Sequence, residues 1–348
     1  MHIDYLIIGQ GLAGSLLAWE LIRHHQRRVV VIDEGTENAS LVAAGLINPV
    51  TGKRFVITDA VDTLLPTALN VYRDLSALFG LEFFIAKPMV RLLRTQEEIN
   101  LTQKRLQDPA YQAYLGDIKN PDQLNYRFNH FMAVLEQKQT GYLITRPLLA
   151  RLKNYFISLD SYRQTTLDYH DIHLEPVLQW REFKPKAIVF CEGFKARYNP
   201  WFSELPFQPV KGEILTLETA HPLPVPILNY GNWLIPTSMN RFRIGATFEH
   251  DTTDTAITRT ARRQLLRSLS LVNANLAGST LVEQQANIRP CTQDRRPFIG
   301  HHPKHPELWI FNGFGAKGSL QIPWYSRHLA QTLSSGKPLQ PHCDTKRL

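Results

Sequence analysis

Six residues near the start of the chain constrain its fold most: Gly9-Gln-Gly11-Leu-Ala-Gly14 directly follows the apolar run of residues 4–8. The first glycine permits a tight turn, the second lets a diphosphate approach the backbone, and the third lets the next helix pack closely on the strand. Residues 15–25 have helical apolar spacing, and residues 28–32 form a second strand that ends at Asp33. The segment therefore predicts a βαβ unit that binds a dinucleotide diphosphate at a helix N-terminus.

Two acidic residues compete for the ribose of that dinucleotide. Asp33 ends the second strand, where a carboxylate can accept hydrogen bonds from a ribose diol. Its charge would repel a 2′-phosphate, which disfavours NADP. Glu34 is the competing candidate, and the sequence leaves both open.

The loop that follows Asp33 consists of small residues. Ser40, Ala44 and Gly45 lie in this loop, before Pro49. Small side chains would let the flat ring of a cofactor lie against the backbone. A small-residue turn without any ligand has the same local sequence, so both interpretations stay open.

A glycine-rich segment near the other end precedes another helix; it contains Gly313, Gly315, Ala316, Lys317 and Gly318. Backbone N–H groups there would face an anion or a partial negative charge, and Lys317 would strengthen the effect. An ordinary glycine-rich helix start is the competing interpretation. A single cofactor that reached both this segment and the first glycine turn would be long, diphosphate-containing and flavin-like.

One arginine in the C-terminal part has an apolar setting. Arg289 lies between Ile288 and Pro290, after a strand-like segment. A partly buried arginine needs an anionic partner, and a carboxylate bound by two parallel hydrogen bonds is the natural one. We interpret Arg295 and Arg296 as structural or solvated.

Composition and charge limit the classes of protein. The chain has 348 residues, which favours about two domains. Its three cysteines lie far apart without CxxC spacing, which argues against a disulfide scaffold and a zinc site and suits a reducing compartment. The histidine pairs have no third ligand at metal spacing, so we expect no metal.

The formal net charge is +8, and the Lys and Arg residues are scattered along the chain. This pattern disfavours nucleic-acid binding without excluding it, and it favours small carboxylate substrates. The most apolar stretch, residues 5–22, contains three glycines and Glu20, which favours strand–turn–helix over a membrane span. We expect a soluble, cytoplasmic protein; the sequence does not indicate an oligomeric state.

The order of elements predicts a mixed α/β (α+β) fold. Nucleotide-binding elements come at the start, middle and end of the chain, with strand-rich blocks between them. This order predicts a Rossmann-like domain that is interrupted twice, formed by residues 1–80, 145–205 and 280–348. A smaller antiparallel-sheet substrate domain would consist of residues 81–144 and 206–279.

Together these motifs resemble the D-amino-acid-oxidase superfamily of FAD-dependent amine oxidoreductases, in particular glycine oxidase, sarcosine oxidase and the oxidoreductase half of the bifunctional tRNA-modifying enzyme. The resemblance runs nearly the whole length and includes Gly141–Arg146, Val189–Gly193 and Pro209–Leu215. Its most specific part is Arg289–Asp294 with Pro297–Gly300. It implies an interrupted FAD domain with a smaller antiparallel sheet over the flavin ring.

The resemblance also implies a role for each matching residue. The implied FAD contacts are Gly9, Gly11, Gly14 and Ser40 at the diphosphate, Asp33 at the adenosine ribose, Leu167 at adenine, Ala44 and Gly45 beside the isoalloxazine, Gly193 packed on the cofactor, and Gly313 to Gly318 at the pyrimidine edge. Arg289 matches the arginine that binds the substrate carboxylate. Lys317 matches a lysine beside flavin and substrate, and Arg54 falls near a further arginine of the sarcosine-oxidase branch.

Two positions depart from the family pattern. Glycine oxidases have a second arginine in the terminal loop, where this chain has Ala316. The carboxylate site would then use Arg289 alone, or add Lys317 or Arg54. Asn287 stands where sarcosine-oxidase-like enzymes attach FAD to a cysteine, so we expect noncovalent FAD.

The implied activity is oxidation of the C–N bond of an amino acid or N-substituted amino acid, by hydride transfer to flavin N5 and hydrolysis of the imine. O2 is the family's acceptor, although a dehydrogenase is equally compatible with these residues. One alternative is a tRNA-modifying oxidoreductase acting on carboxymethylaminomethyl uridine. Another is a flavin-binding protein without turnover. The sequence does not identify the substrate.

Overall fold

The structure is a computed structural model that describes residues 1–124, 126, 128–129, 131–250 and 252–347. Its strands are β1 (His2–Ile8), β2 (Val29–Asp33), β3 (Leu46–Ile47), β4 (Val50–Thr51), β5 (Val56–Ile57), β6 (Phe84–Ala86), β7 (Met89–Leu93), β8 (Leu115–Lys119), β9 (Ala133–Gln137), β10 (Gly141–Leu143), β11 (Tyr162–Gln164), β12 (Ile172–His173), β13 (Gln179–Trp180), β14 (Lys184–Phe190), β15 (Val210–Glu218), β16 (Ile227–Asn229), β17 (Trp233–Pro236), β18 (Arg241–Gly245), β19 (Glu249–His250), β20 (Thr280–Arg289), β21 (Phe298–His301) and β22 (Leu308–Asn312). Its α-helices are α1 (Leu12–His25), α2 (Ala39–Val42), α3 (Val61–Phe79), α4 (Gln96–Leu106), α5 (Thr145–Ser158), α6 (Arg259–Ser270), α7 (Ala274–Ala277) and α8 (Gly318–Ser335).

A six-stranded sheet holds the first glycine turn. Its strand order is β11-β2-β1-β14-β22-β21, and all neighbours are parallel except β21, which runs antiparallel to β22. The central strand β1 is buried on both faces, with Leu6 and Ile7 fully buried, because helices α1 and α8 cover one face and a second apolar cluster covers the other. The carboxyl ends of β1, β2, β14 and β22 meet at one edge, which is where ligands bind in such sheets.

A larger sheet of nine strands packs beside this one. Its order is β19-β15-β18-β17-β16-β7-β9-β8, and β20 pairs along the length of β15. One face is covered by α6 and α7, whose Leu265, Leu269 and Leu276 pack on Leu215 and Phe242. These sheets confirm the predicted mixed α/β fold. Residues 280–289, however, pair with the larger sheet, whereas the sequence-based boundary placed them with the nucleotide-binding segments.

No helix in the described ranges is both long and apolar enough to cross a membrane.

A buried carboxylate joins helices α1 and α8. Glu20 is 3% exposed and accepts a hydrogen bond from Arg327 Nε at 2.9 Å. Burial raises the pKa of this carboxyl from 4.5 to about 7, against the opposing effect of Arg327. The folded chain therefore retains a proton that the unfolded chain has already lost between these two pH values.

We expect this carboxyl to make stability pH-dependent. The free energy of unfolding of the wild type, relative to Glu20→Gln, should fall as the pH rises from about 4.5 to about 7, by up to about 3 kcal/mol, and stay constant above that range. Denaturant unfolding of both proteins at pH 5 and pH 8 measures the difference. If the free energies of unfolding of wild type and Glu20→Gln differed by the same amount at pH 5 and pH 8, the raised pKa of Glu20 would be contradicted.

Candidate active site

The glycine turn has one side closed by backbone and one side open. Gly9 has a φ of +104°, and a Cβ on it would lie 2.6 Å from the Cys191 carbonyl oxygen. A Cβ on Gly14 would lie 2.0 Å from the Gly9 carbonyl oxygen. Around Gly11, by contrast, only Ser40 Oγ comes within 4 Å of a Cβ position, at 3.3 Å. The open side lies at the N-terminus of α1, where Ser40 Oγ accepts a hydrogen bond from Leu12 N at 3.0 Å.

The two candidate acids have different surroundings. Asp33 Oδ2 accepts a hydrogen bond from Gln10 N at 2.8 Å, so this carboxylate lies directly on the glycine turn. Glu34 pairs with Lys195 instead, and the hydrogen bond from Lys195 holds the pKa of Glu34 below its usual value. This geometry favours Asp33 as the ribose ligand. Leu167 lies nearby, because β11 pairs with β2 and Thr165 N donates to the Asp33 carbonyl.

The end of β14 forms the next part of the edge. Gly193 has a φ of +59° and nothing within 4 Å of a Cβ position, so space is open beside it. Its carbonyl accepts a hydrogen bond from Asn312 Nδ2 at 2.8 Å. Cys191 packs behind the glycine turn, and Glu192 accepts hydrogen bonds from Tyr169 and Asn199. Cys191 therefore has a packing role and Glu192 a hydrogen-bonding role at this edge of the sheet.

Ala44 and Gly45 lie between the larger sheet and a small three-stranded sheet of order β3-β10-β6. Gly45 has a φ of +69°, and a Cβ there would lie 2.0 Å from the Leu143 carbonyl oxygen, so only glycine fits. Ala44 packs against the apolar cluster of Met89, Ile227 and Ile235 in the larger sheet. The small side chains of this loop therefore let its backbone lie close to both of these sheets.

Arg289 ends strand β20 without a carboxylate partner among the described residues. Its Nη1 and Nη2 both donate to the Thr247 carbonyl at 3.3 Å, and its guanidinium lies 4.5 Å from the centre of the Phe248 ring. Burial lowers the pKa of Arg289, but an arginine still keeps its charge at neutral pH. A partly buried cation that is held only by carbonyls and an aromatic face is suited to bind an anion.

Gly212 makes room for this guanidinium. It lies on β15 beside β20, and a Cβ there would lie 2.1 Å from Arg289 Nη2. Sequence reasoning missed this role, although a glycine inside a strand is the usual signal of a close approach. The sequence did not indicate the roles of Thr247 and Phe248, because a backbone acceptor and a stacked ring leave no local signal.

We expect Gly212→Ala to displace Arg289 rather than unfold the chain, since the obstructing atoms are the end of a flexible side chain. KM for a carboxylate substrate should rise about tenfold with FAD content unchanged. Steady-state kinetics against Gly278→Ala, where a Cβ would meet only an ordinary 3.5 Å contact, provide the matched control. Unchanged KM in Gly212→Ala would show that the guanidinium does not bind substrate in this position.

The terminal loop reaches the Arg289 segment. Gly315 N donates to the Pro290 carbonyl at 3.1 Å, and a Cβ on Gly315 would lie 3.2 Å from Cys291 Sγ. Gly313 and Gly315 have φ values of +86° and +51°, which favour glycine. Ala316 is exposed, and Gly318 begins helix α8.

Lys317 faces the hairpin of β4 and β5. Its Nζ donates to Thr58 Oγ1 at 3.1 Å, and burial lowers its pKa, against the opposing effect of Asp59. Arg54 lies exposed in the turn of that hairpin, and within the described ranges its guanidinium has no hydrogen-bond or ionic partner. The structure therefore brings Lys317 and Arg289 to adjacent segments, and it leaves Arg54 at the surface.

No group of three histidine, cysteine or acidic side chains in the described part of the chain is arranged to hold a metal ion.

Comparison with protein families decides the class of protein. Residues 4–332 match the family described as DAO, FAD-dependent oxidoreductase. The chain belongs to this family. Its cofactor is accordingly FAD, and the protein is an FAD-dependent oxidoreductase.

The sequences of individual relatives match this DAO-family protein over different fractions of its length. Glycine oxidase from Pseudomonas putida is 31% identical over 39% of this chain and 38% of its own length, so that match spans well under half of either protein. Glycine oxidase from Geobacillus kaustophilus is 24% identical over 92% of this chain and 90% of that protein.

Solved structures share the fold. The crystal structure of glycine oxidase from Geobacillus kaustophilus has a TM-score of 0.82 and 22% identity, covering 97% of this chain and 96% of that one. Iminodiacetate oxidase from Chelativorans sp. BNC1 has a TM-score of 0.80 and 20% identity, with the same coverage.

The residues at the sheet edge fit FAD. The start of α1, whose N-cap residue Gly11 has no side chain to cap it, and the open side of Gly11 suit a diphosphate, and Asp33 still has lone pairs for a ribose diol. The open space at Gly193 and the glycine-rich start of α8 lie along the same edge. The DAO-family oxidoreductase would hold its cofactor with these groups.

Proposed function

We propose that this oxidoreductase oxidises the C–N bond of a small amino acid or N-substituted amino acid. One observation carries the proposal: Arg289 is a partly buried cation without a carboxylate partner in the described ranges, on a segment that contacts the glycine-rich terminal loop. A substrate carboxylate would supply the missing charge. Glycine and iminodiacetate, the compounds in the relatives' names, both carry an amine one carbon from a carboxylate.

The chain's own residues would bind and orient this substrate. The Thr247 carbonyl accepts hydrogen bonds from Arg289 Nη1 and Nη2, and the Lys211 carbonyl accepts one from Nη1 at 3.5 Å. Nε–H and the second N–H of Nη2 remain as donors for the carboxylate. Fixing the carboxylate positions the α-carbon hydrogen. FAD, when bound, supplies the acceptor for that hydrogen and its electron pair, and water hydrolyses the resulting imine.

The protonation state of the amine follows from the charges around Arg289. Two cationic side chains, Arg289 and Lys317, lie on adjacent segments. These positive charges disfavour an ammonium group beside them. The substrate amine would therefore bind neutral, and its lone pair assists loss of the α-hydrogen without a general base.

We also propose that FAD is held noncovalently and that O2 is the acceptor. Asn287 is 6% exposed, its Nδ2 donates to the Glu37 carbonyl at 3.4 Å, and an amide cannot form the thioether link of a cysteine. Acid precipitation should release yellow FAD into the supernatant. Colour that stays with the protein pellet would contradict noncovalent binding.

An anaerobic substrate screen tests the proposed activity. Purified holoenzyme is mixed with glycine, sarcosine, D-alanine, D-proline and the matching amines that lack a carboxylate, and flavin absorbance is recorded. Bleaching by a carboxylate-bearing amine, followed by reoxidation and peroxide formation on admitting air, is the expected result. Bleaching only by amines without a carboxylate would contradict the role of Arg289. Full bleaching without peroxide would identify a dehydrogenase.

A further inference from the structure

A second arginine lies on the same face of the larger sheet as Arg289. Arg243 on β18 is opposite Thr216 of β15, and Arg289 on β20 is opposite Val210 of the same strand. Directly opposite residues share a face, and residues an even number apart on one strand share it too. Both arginines therefore project from the face that packs toward the FAD-binding segments.

Arg243 binds the backbone just before the proposed flavin contacts. Its Nη2 donates to the Val42 carbonyl at 2.7 Å and its Nη1 donates to the Ala43 carbonyl at 3.2 Å. Ala44 and Gly45 follow immediately in the chain. The guanidinium therefore fixes the backbone directly before Ala44 and Gly45, and its positive charge lies one or two residues away from them along the chain.

The charge of Arg243 is not neutralised by an ion pair with any described residue. The charged and titratable groups around it are Glu283, Arg146 and Tyr142, of which Glu283 is exposed. Burial lowers the pKa of Arg243, and the guanidinium remains protonated at neutral pH. A cation in this setting exerts a stronger field on its surroundings than it would in water.

We propose that Arg243 is a positioning residue that holds the Val42–Gly45 segment beside the flavin and favours the reduced form of the flavin. The proposal rests on the placement of Ala44 and Gly45 beside the isoalloxazine ring. Two electrons and one proton leave a net negative charge on that ring, and a nearby fixed cation stabilises it. The guanidinium also draws the negative ends of two carbonyl dipoles toward itself.

The experiment measures the two-electron equilibrium between bound FAD and a redox dye of known potential, under anaerobic conditions. Arg243→Met removes the charge, and Arg243→Gln removes the charge but retains a donor for the carbonyls. We expect both to shift the equilibrium toward oxidised flavin by about tenfold, equivalent to about 30 mV. Arg243→Lys, which retains the charge, should shift it less.

Arg91 provides the matched control. It projects from β7, is 8% exposed, donates to the Gly52 carbonyl at 2.6 Å and lies 4.2 Å from the centre of the Phe55 ring. Arg91→Met, like Arg243→Met, removes an arginine that binds a backbone carbonyl. That carbonyl belongs to the β4–β5 hairpin and not to the Val42–Gly45 segment, so Arg91→Met should leave the flavin equilibrium within about twofold of the wild type.

If the flavin equilibrium were unchanged in Arg243→Gln, the proposal would be overturned. Arg243 would then only hold the backbone of Val42 and Ala43 against the larger sheet. The same conclusion follows if Arg91→Met shifts the equilibrium as much as Arg243→Met. Should Arg243→Met fail to fold, the Gln and Lys variants still decide the matter. Because the dye replaces the amine, this measurement stands even if no amino acid is oxidised.

Discussion

Replacing Arg289 by methionine should lower kcat/KM for carboxylate-bearing amines by about 100-fold, equivalent to about 3 kcal/mol of lost transition-state stabilisation. Methionine has a similar length and is apolar, so it fills the space without leaving an unpaired charge. The loss should appear mainly as a higher KM, because the carboxylate binds in both the ground state and the transition state. Steady-state kinetics with the amine found in the substrate screen provide the measurement.

Two controls separate substrate binding from cofactor binding at Arg289. Arg289→Lys retains the charge but loses the paired donors, so its loss should be intermediate. Amines without a carboxylate should react with the wild type and Arg289→Met at similar rates. If Arg289→Met instead lost its FAD while keeping its thermal stability, Arg289 would be a cofactor ligand and the proposed substrate site would be wrong.

Gly14→Ala should damage the fold itself. Its Cβ would lie 2.0 Å from the Gly9 carbonyl oxygen, and backbone cannot move aside as a flexible side chain can. We expect a loss of at least about 3 kcal/mol in the free energy of unfolding of the apoprotein, at the upper end of the usual cost of overpacking. Denaturant unfolding without FAD measures this loss.

Gly11→Ala is the matched comparison. A Cβ there meets only Ser40 Oγ at 3.3 Å, so the apoprotein should keep most of its stability. The added methyl would point to the open side of the turn, where the diphosphate would lie, and should weaken FAD binding by about tenfold or more. Fluorescence titration of the apoprotein with FAD gives the affinity. Equal destabilisation of both apo variants would show that Gly11 is a packing residue.

Local sequence was enough to predict the elements around the glycine turn. The apolar run, the three glycines and the second strand lie within 33 residues, and each feature acts on its immediate neighbours. The helix expected after the terminal glycine-rich segment is α8, which begins at Gly318.

The sheet to which residues 280–289 belong could not be read from local sequence. Residues 280–289 have a strand pattern that fits either sheet, and their partner β15 lies about 70 residues earlier in the chain. Strand pairing over such a separation depends on the whole fold, so periodicity alone cannot identify it.

The sequence by itself determined the class of fold, the dinucleotide-binding turn and the residue types of the site, because those follow from glycine spacing and apolar periodicity. Only the tertiary structure decided which of these residues meet. It placed Asp33 on the turn and paired Glu34 with Lys195. It also left Arg289 without a carboxylate among the described residues and gave Arg243 its backbone carbonyls. Burial and charge pairing arise from contacts between distant segments, and the linear order of residues does not contain them.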